Sequence, residues 1–314
     1  MTDYKADSIK VLEGLEGVRK RFDIVELSRK VKRKGDLLVL SSELKLKPRI
    51  LKSVIDEGRI LEIAPGTQKS KASILASLKT NREVLIFSKK HNFKKISPKK
   101  LLDLVKQWKQ DIQKNPLLLL SQEEHDLILG SLFGDASIRQ RNKNCCFRVS
   151  HSFKQREYIG HKLKILENFN ISEFRETKRI LNNRNLFMIN LSTKTHQVFN
   201  YYRNLFYNKQ GIKEITMKLL NKLNTRSLAY WICDGGSYDN KQGYVVLCTN
   251  SFTLREHKLI KEFFNKKFNL DPTIGFRDKK YYYLRFKQED SKRLIEIIKP
   301  FILQSMLYKI GGSK

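Results

Sequence analysis

The sequence predicts an α+β fold built from a duplicated unit, and three observations carry that prediction. Two segments, Leu127–Ile138 (LILGSLFGDASI) and Ser227–Ser237 (SLAYWICDGGS), each combine apolar residues with small residues four apart and then an aspartate. Each is followed by the same succession of strand-period and helix-period stretches. A formal charge of +31, from 63 Lys+Arg against 32 Asp+Glu, implies a polyanionic partner, and the aromatic content, including 12 Tyr, separates the chain from a disordered basic tail.

The paired segments anchor everything else. Gly inside a helix costs about 1 kcal/mol against Ala, so Gly130 and Gly134 mark a place where another backbone comes close. Ala229 and Cys233 repeat that four-residue spacing, with Asp234 directly after them as Asp135 follows Gly134. The expectation is two helices packed face to face, presenting two carboxylates to one site. Two carboxylates at a helix interface suit hard divalent cations, Mg²⁺ or Mn²⁺, which activate water and offset charge on a phosphate. A cation also relieves a carboxylate placed at the unfavourable end of a helix dipole.

The flanking elements follow from periodicity. After Asp135, Cys145–Phe153 alternates as a strand, Gln155–Phe169 has helix period, Leu186–Thr193 is a second strand region and His196–Tyr207 is helical. After Asp234, Gly243–Thr249 is strand-like, Leu254–Phe268 helical, Thr273–Arg277 and Tyr281–Lys287 a hairpin, and Lys292–Tyr308 helical. A lysine, Lys213 or Lys309, stands after the closing segment of each half, where an ammonium orients water or stabilises a transition state.

Upstream lies a Lys-rich zone with short apolar runs. Leu37–Leu40 and Val84–Phe87 read as strands, Ser42–Asp56 as two short helices around Pro48, and Ser97–Gln113 as a helix opened by Ser97-Pro98. Asn115-Pro116 and the capping sequence Ser121-Gln122-Glu123-Glu124 close this zone. The domain plan is therefore a leader over 1–21, a small basic accessory domain over 22–116, and two halves over 117–224 and 225–314.

Other classes are disfavoured. No apolar run approaches the ~20 residues that span a membrane, and no signal-peptide pattern opens the chain, so the expected location is the cytoplasm of a bacterial or phage-infected cell, or an organelle. The four Cys lack a C-x-x-C and read as reduced thiols, and the six His show no metal-ligand spacing.

LILGSLFGDASI and SLAYWICDGGSYDN resemble the paired motifs of LAGLIDADG homing endonucleases of the single-chain, two-motif type. The closing Ile298-Lys299-Pro300 with Gln304, Met306, Tyr308 and Lys309 adds to a likeness that runs from about Ser121 to Ile310. It implies a pseudo-twofold pair of αββαββα half-domains forming a saddle that cleaves both strands of a long DNA target as a monomer. The family's metal-binding carboxylate carries onto Asp135, with Ala136 beside it, and its basic residues onto Lys309 and, with a one-residue slip, Lys213. The second motif of the family ends Asp-Asp-Gly with the second Asp as ligand. Here the order is Asp234-Gly235-Gly236, so register places Gly235 at the ligand position, whereas small-residue spacing places Asp234 there. Asp234 is the expected ligand. If it fails to reach, a maturase binding its own intron RNA is the alternative.

Specificity is expected from side chains on or near strands: Arg139, Arg141, Arg148, His151 and Lys154 in the first half, and Tyr238, Asn240, Lys241, Asn250, Arg277, Lys279, Tyr282 and Arg285 in the second. Residues 4–21 (YKADSIKVLEGLEGVRKR) resemble the opening of the bacterial gyrase ATPase subunit, and the likeness stops at Phe22. That pattern implies exon-derived sequence and a target in a gyrase-subunit gene.

Overall fold

The computed structural model describes residues 23–312, apart from 32–33, 45, 79–80, 182–183 and 279; the gyrase-like leader lies outside them. Contacts divide the chain into two units, one ending at Asn115 and one running from Pro116 to Lys314.

Every regular element described in the first unit is helical. Asp23 caps α1 (Ile24–Lys30) by accepting from the N–H groups of Val25 and Glu26. There follow α2 (Lys34–Glu43), α3 (Pro48–Ile63), α4 (Lys69–Leu75), α5 (Asn81–Lys90) and α6 (Pro98–Lys114). Leu51, Val54, Ile60, Leu75, Val84, Phe87, Leu101 and Val105 are buried. Both strand expectations here are corrected. Leu37–Leu40 lies within α2, where four consecutive apolar residues span the whole helix circumference and leave Leu38 and Val39 exposed. Val84–Phe87 lies within α5, where Val84 and Phe87 share one buried face. A helix break does precede Pro48, between α2 and α3, but both helices reach beyond Ser42–Asp56. Pro48 occupies the first turn of the 16-residue α3, where its missing N–H costs nothing.

The second unit repeats one plan. Its first half runs α7 (Gln122–Phe133), β1 (Ser137–Arg141), β2 (Asn144–Ser152), α8 (Arg156–Leu166), β3 (Ile171–Leu181), β4 (Arg184–Thr193) and α9 (Gln197–Phe206). After the short α10 (Met217–Leu220), the second half runs α11 (Thr225–Gly235), β5 (Gly236–Asp239), β6 (Tyr244–Leu247), α12 (Leu254–Phe268), β7 (Thr273–Arg277), β8 (Tyr281–Arg285) and α13 (Gln288–Ile298). The sheets have equivalent antiparallel orders, β1-β2-β4-β3 and β5-β6-β8-β7. The fold is α+β, an αββαββα unit twice over.

Helices cover one face of each sheet. Ile138, Phe147, Val149 and Leu191 in the first, and Val245, Leu247 and Leu284 in the second, join a single apolar core with α7 and α11. Alternate strand positions turn the other way, to an open face. The sequence gives β3 little strand signal, because SEFRETKRI is mostly polar with few apolar residues. The last helix is shorter than its apolar period implied: α13 ends at Ile298 and Pro300 shifts the chain into 3₁₀ turns. All four cysteines are free thiols.

Candidate active site at the ends of the paired helices

The helix pair is held at its amino ends by reciprocal caps. In α7, Ser121 accepts from Glu124 N–H while Glu124 accepts from Ser121 N–H, and Asn224 and Ser227 do the same for α11. Asn224 Nδ2 also donates to Asp126 Oδ1 of the other helix at 2.7 Å, and Gln122 Nε2 donates to the same oxygen at 2.7 Å. From this tie the helices run together toward their carboxyl ends. A Cβ at Gly130 would lie 2.0 Å from Ser227 O and 2.8 Å from Tyr230 Cβ; one at Gly134 would lie 2.3 Å from Asp234 Cβ. Both glycines are therefore places where the opposing helix occupies the space of a side chain.

The turns that follow the two helices match at an offset of one hundred residues, and this decides the register of the second motif. Lys213 Nζ donates to Ala136 O at 2.9 Å and to Leu132 O at 2.7 Å, while Lys309 Nζ donates to Gly236 O at 2.8 Å. Ile138 and Tyr238 likewise take the same core-facing place in β1 and β5. Asp135 therefore corresponds to Gly235, and Asp234 to Gly134. The spacing argument for Asp234 as the equivalent of Asp135 is corrected: spacing by small residues misled because the close approach uses Gly130 against Ser227 and Tyr230, not against Ala229.

Asp135 stands just beyond the end of α7, with a side chain about half exposed at 47%. Packing around it and the adjacent Asp234 carboxylate push its carboxyl up to about 6, against the pull of the Lys162, Lys309 and Lys213 ammonium groups. Asp234, inside the last turn of α11, has a side chain with no exposure. Its Oδ1 accepts from Lys162 Nζ at 2.7 Å and Tyr158 Oη at 2.7 Å, and its Oδ2 lies 3.4 Å from the Asp135 N–H. Burial alone would raise the Asp234 carboxyl, but Lys162, His151 and Tyr158 outweigh it and hold the group below its ordinary range.

Lys162 is fully buried and spends all three N–H donors within the site. They go to Asp234 Oδ1, to Ser131 Oγ at 2.8 Å and to His151 Nε2 at 3.0 Å. Accepting at Nε2 leaves the His151 proton on Nδ1, which faces Asp135 Oδ2 at 3.5 Å. Burial and Lys162 push this imidazole down to about 3, so it is neutral. Burial likewise pushes Lys213 down to about 8. Asp135, His151 and Asp234 bring ligand atoms within 4.8 Å of one another.

As a place for a divalent cation the cluster is uneven. Asp135 fits: an accessible carboxylate whose ionisation its surroundings oppose gains from an added positive charge. Asp234 does not fit, because an ammonium already occupies its Oδ1 and no solvent reaches it. Gly235 has no side chain, and its carbonyl accepts from Cys248 N–H at 2.8 Å. The carbonyl of Ala136 is taken by Lys213.

The expected recognition residues divide by face. Arg139, Arg141 and Arg148 lie on the open face of the first sheet, Arg148 within 3.8 Å of Glu173. Arg277 and Arg285 lie on the open face of the second, over the rings of Tyr283 and Tyr244 at 5.8 and 5.4 Å. Asn250 Oδ1 is 3.4 Å from Arg277 Nη2, Asn240 and Lys241 sit exposed after β5, and Lys154 is exposed after β2. Three assignments are corrected. His151 is buried beneath the sheet in the carboxylate cluster, Tyr238 packs on the core side where Gly311 closes over its ring, and Tyr282 packs on the core side against Phe276. Strand alternation puts all three away from the open face. Lys279 lies outside the described residues. Sequence reading missed Lys162 and Tyr158; the signal was a lysine four residues from a tyrosine on the apolar stripe of α8.

A model of the LAGLIDADG DNA endonuclease family matches residues 125–294. The DNA endonuclease I-ChuI of Chlamydomonas applanata is 27% identical over 219 residues, covering 62% of this chain and 98% of its own. The cytochrome b mRNA maturase bI2 of Debaryomyces hansenii is 30% identical over 201 residues, covering 62% of this chain and 75% of its own. Among solved structures, the homing endonuclease I-WcaI bound to its DNA recognition sequence is similar with a TM-score of 0.56 at 25% identity, covering 61% of this chain and 87% of that one.

Proposed function

This chain belongs to the LAGLIDADG DNA endonuclease family, and from that premise we propose how its own residues perform site-specific cleavage of duplex DNA. The carrying observation is the position of Asp135: an accessible carboxylate at the carboxyl end of the close-packed helix pair, where the first strand of each sheet begins.

The open faces bind DNA. Arg139, Arg141 and Arg148 on one sheet and Arg277 and Arg285 on the other contact base edges and phosphates, with Lys154, Asn240, Lys241 and Asn250 at the margins. Asp135 would hold the divalent cation, Mg²⁺ or Mn²⁺, which would supply the positive charge that activates water and steadies the phosphate. Lys213 and Lys309 fix the turns that follow the two helices by gripping the carbonyls of Ala136 and Gly236, and their ammonium groups add positive charge to the site. The neutral His151 orients the Asp135 carboxylate through Nδ1.

The protein acts as a monomer on a long target in the uninterrupted allele of a gyrase-subunit gene, in the cytoplasm of its host. A labelled duplex of that allele incubated with the protein and Mg²⁺ is expected to yield two defined fragments. Intact DNA under conditions where binding is measured overturns the reading.

A second reading, an RNA-binding maturase, is favoured by Gly235 and by the likeness to a cytochrome b mRNA maturase. A splicing assay with and without protein separates the two: a pure endonuclease leaves the splicing rate of the intron unchanged.

A further inference from the structure

The two halves of the site are related by sequence offset and hydrogen bonding, yet they are chemically unequal. One presents Asp135 to solvent. The other presents Gly235, and its nearest carboxylate, Asp234, points inward onto a lysine. That lysine has no counterpart among the groups expected to serve catalysis. Residue 162 lies in α8, which packs against α7, and its Nζ arrives in the cluster with no exposure, 2.7 Å from Asp234 Oδ1. An ammonium and a divalent cation compete for the same carboxylate oxygen, and a wholly buried pair excludes the waters that Mg²⁺ retains.

We propose that Lys162 is a built-in counter-cation that withdraws Asp234 from metal binding, so that the protein cuts its two DNA strands unequally, first the strand served by Asp135. The inference rests on the endonuclease reading and adds an order of cutting to it. Lys162 is here a positioning residue. It touches neither DNA nor the cation, and acts through Asp234, Ser131 and His151.

The geometry also supplies the test. Gly235 lies in the last turn of α11, and a Cβ built on it meets Cys248 O at 3.2 Å, the Leu247 side chain at 3.7 Å and Trp231 Cδ1 at 4.0 Å. Gly235→Asp is therefore accommodated by a shift of a few tenths of an ångström, and returns a carboxylate to the register of Asp135. With each strand of the duplex end-labelled separately, the wild type is expected to cut one strand at least about tenfold faster, the scale of effect seen when a metal's ligand surroundings are lost. Gly235→Asp is expected to speed the slow strand and leave the fast one within about twofold. Asp135→Asn is expected to abolish the fast cut. Equal rates for both strands in the wild type overturn the proposal.

Counting Mn²⁺ by electron paramagnetic resonance in the full-length protein–duplex complex provides a readout independent of turnover. One ion that Asp135→Asn removes and Asp234→Asn retains is the expected result. A second ion that Asp234→Asn removes, or no Asp135-dependent ion, overturns the proposal. Lys162→Met alone is expected to gain a second ion. Because that variant leaves a buried carboxylate unpaired, the double variant Lys162→Met/Asp234→Asn, which removes both charges, serves as the folded control and is expected to keep one. Failure of the wild type to cut either strand of a bound duplex would defeat the endonuclease reading instead, while the Mn²⁺ count still judges this one.

Discussion

Replacing Gly130 by alanine tests the claim that backbone contact between α7 and α11 is what brings the site together. On an exposed helix the change would stabilise by about 1 kcal/mol, since alanine is the better helix former. Here the added methyl would stand 2.0 Å from Ser227 O and 2.9 Å from its carbonyl carbon, against an ordinary contact of 3.4–4 Å. The obstacle is backbone on both sides, so no rotamer change relieves it, and the helices must part by more than 1 Å. Overpacking of that kind costs about 1–3 kcal/mol in well-packed interiors, and the helix-propensity gain offsets only part of it. Parting the helices also moves Asp135 relative to Lys162 and Lys309. A displacement of about 1 Å costs on the order of 100-fold in rate. Gly130→Ala is therefore expected to lower the urea midpoint, corresponding to a net loss of about 1–2 kcal/mol, and to slow DNA cleavage far more than its modest loss of stability implies. A variant as stable as the wild type, cutting at the wild-type rate, would show that residue 130 is not at the point of closest approach.

The other expectations concern charge and capping. Lys162→Met is expected to destabilise by about 3–5 kcal/mol, because Asp234 is left buried without its partner, and Lys162→Met/Asp234→Asn to recover much of that loss; denaturant titration of the pair checks both. Asn224→Ala removes a cap and the hydrogen bond to Asp126, with an expected cost of about 1–2 kcal/mol in the same assay. In metal-free protein the Asp135 carboxyl is raised from 3.8 to about 6, so the folded state favours its protonated form. The stability this contributes is fully present below about pH 4 and is lost as pH rises through about 6, and Asp135→Asn should flatten that segment of the stability–pH profile. Affinity for DNA is expected to fall by orders of magnitude between about 50 and 200 mM salt if 6–10 phosphates are neutralised, and a salt-independent affinity would mean the charge serves another purpose.

What could be read from the chain before its fold depended on how local the signal was. Leu254–Phe268 and the hairpin Thr273–Arg277 with Tyr281–Lys287 announce themselves through periodicity and turn chemistry, and each forms, the last strand ending two residues early at Arg285. The capping box at Ser121 is equally local. The apolar runs at Leu37–Leu40 and Val84–Phe87 are too short for periodicity to separate strand from helix, and their neighbours in three dimensions decided for helix. In the site, Asp135 could be found because it ends a motif. Lys162 could not be singled out in so lysine-rich a chain, since its importance lies in three acceptors drawn from α7, β2 and α11, distant from it in sequence. The same holds for His151, which strand alternation alone assigns to the covered side but only the packed helices bring to Asp135.

The contact at Gly130 bears on how such a molecule divides and reassembles. The offset between halves puts Tyr230 where the first half has Gly130, and Asp234 where it has Gly134, so each helix is shaped to the other and to nothing resembling itself. Two copies of the second helix would set tyrosine against tyrosine at the crossing, where the first helix offers a glycine. A chain severed between α10 and α11 would therefore favour the mixed pair over two copies of the second half. With both helices carried in one polypeptide, each has only its partner to fit.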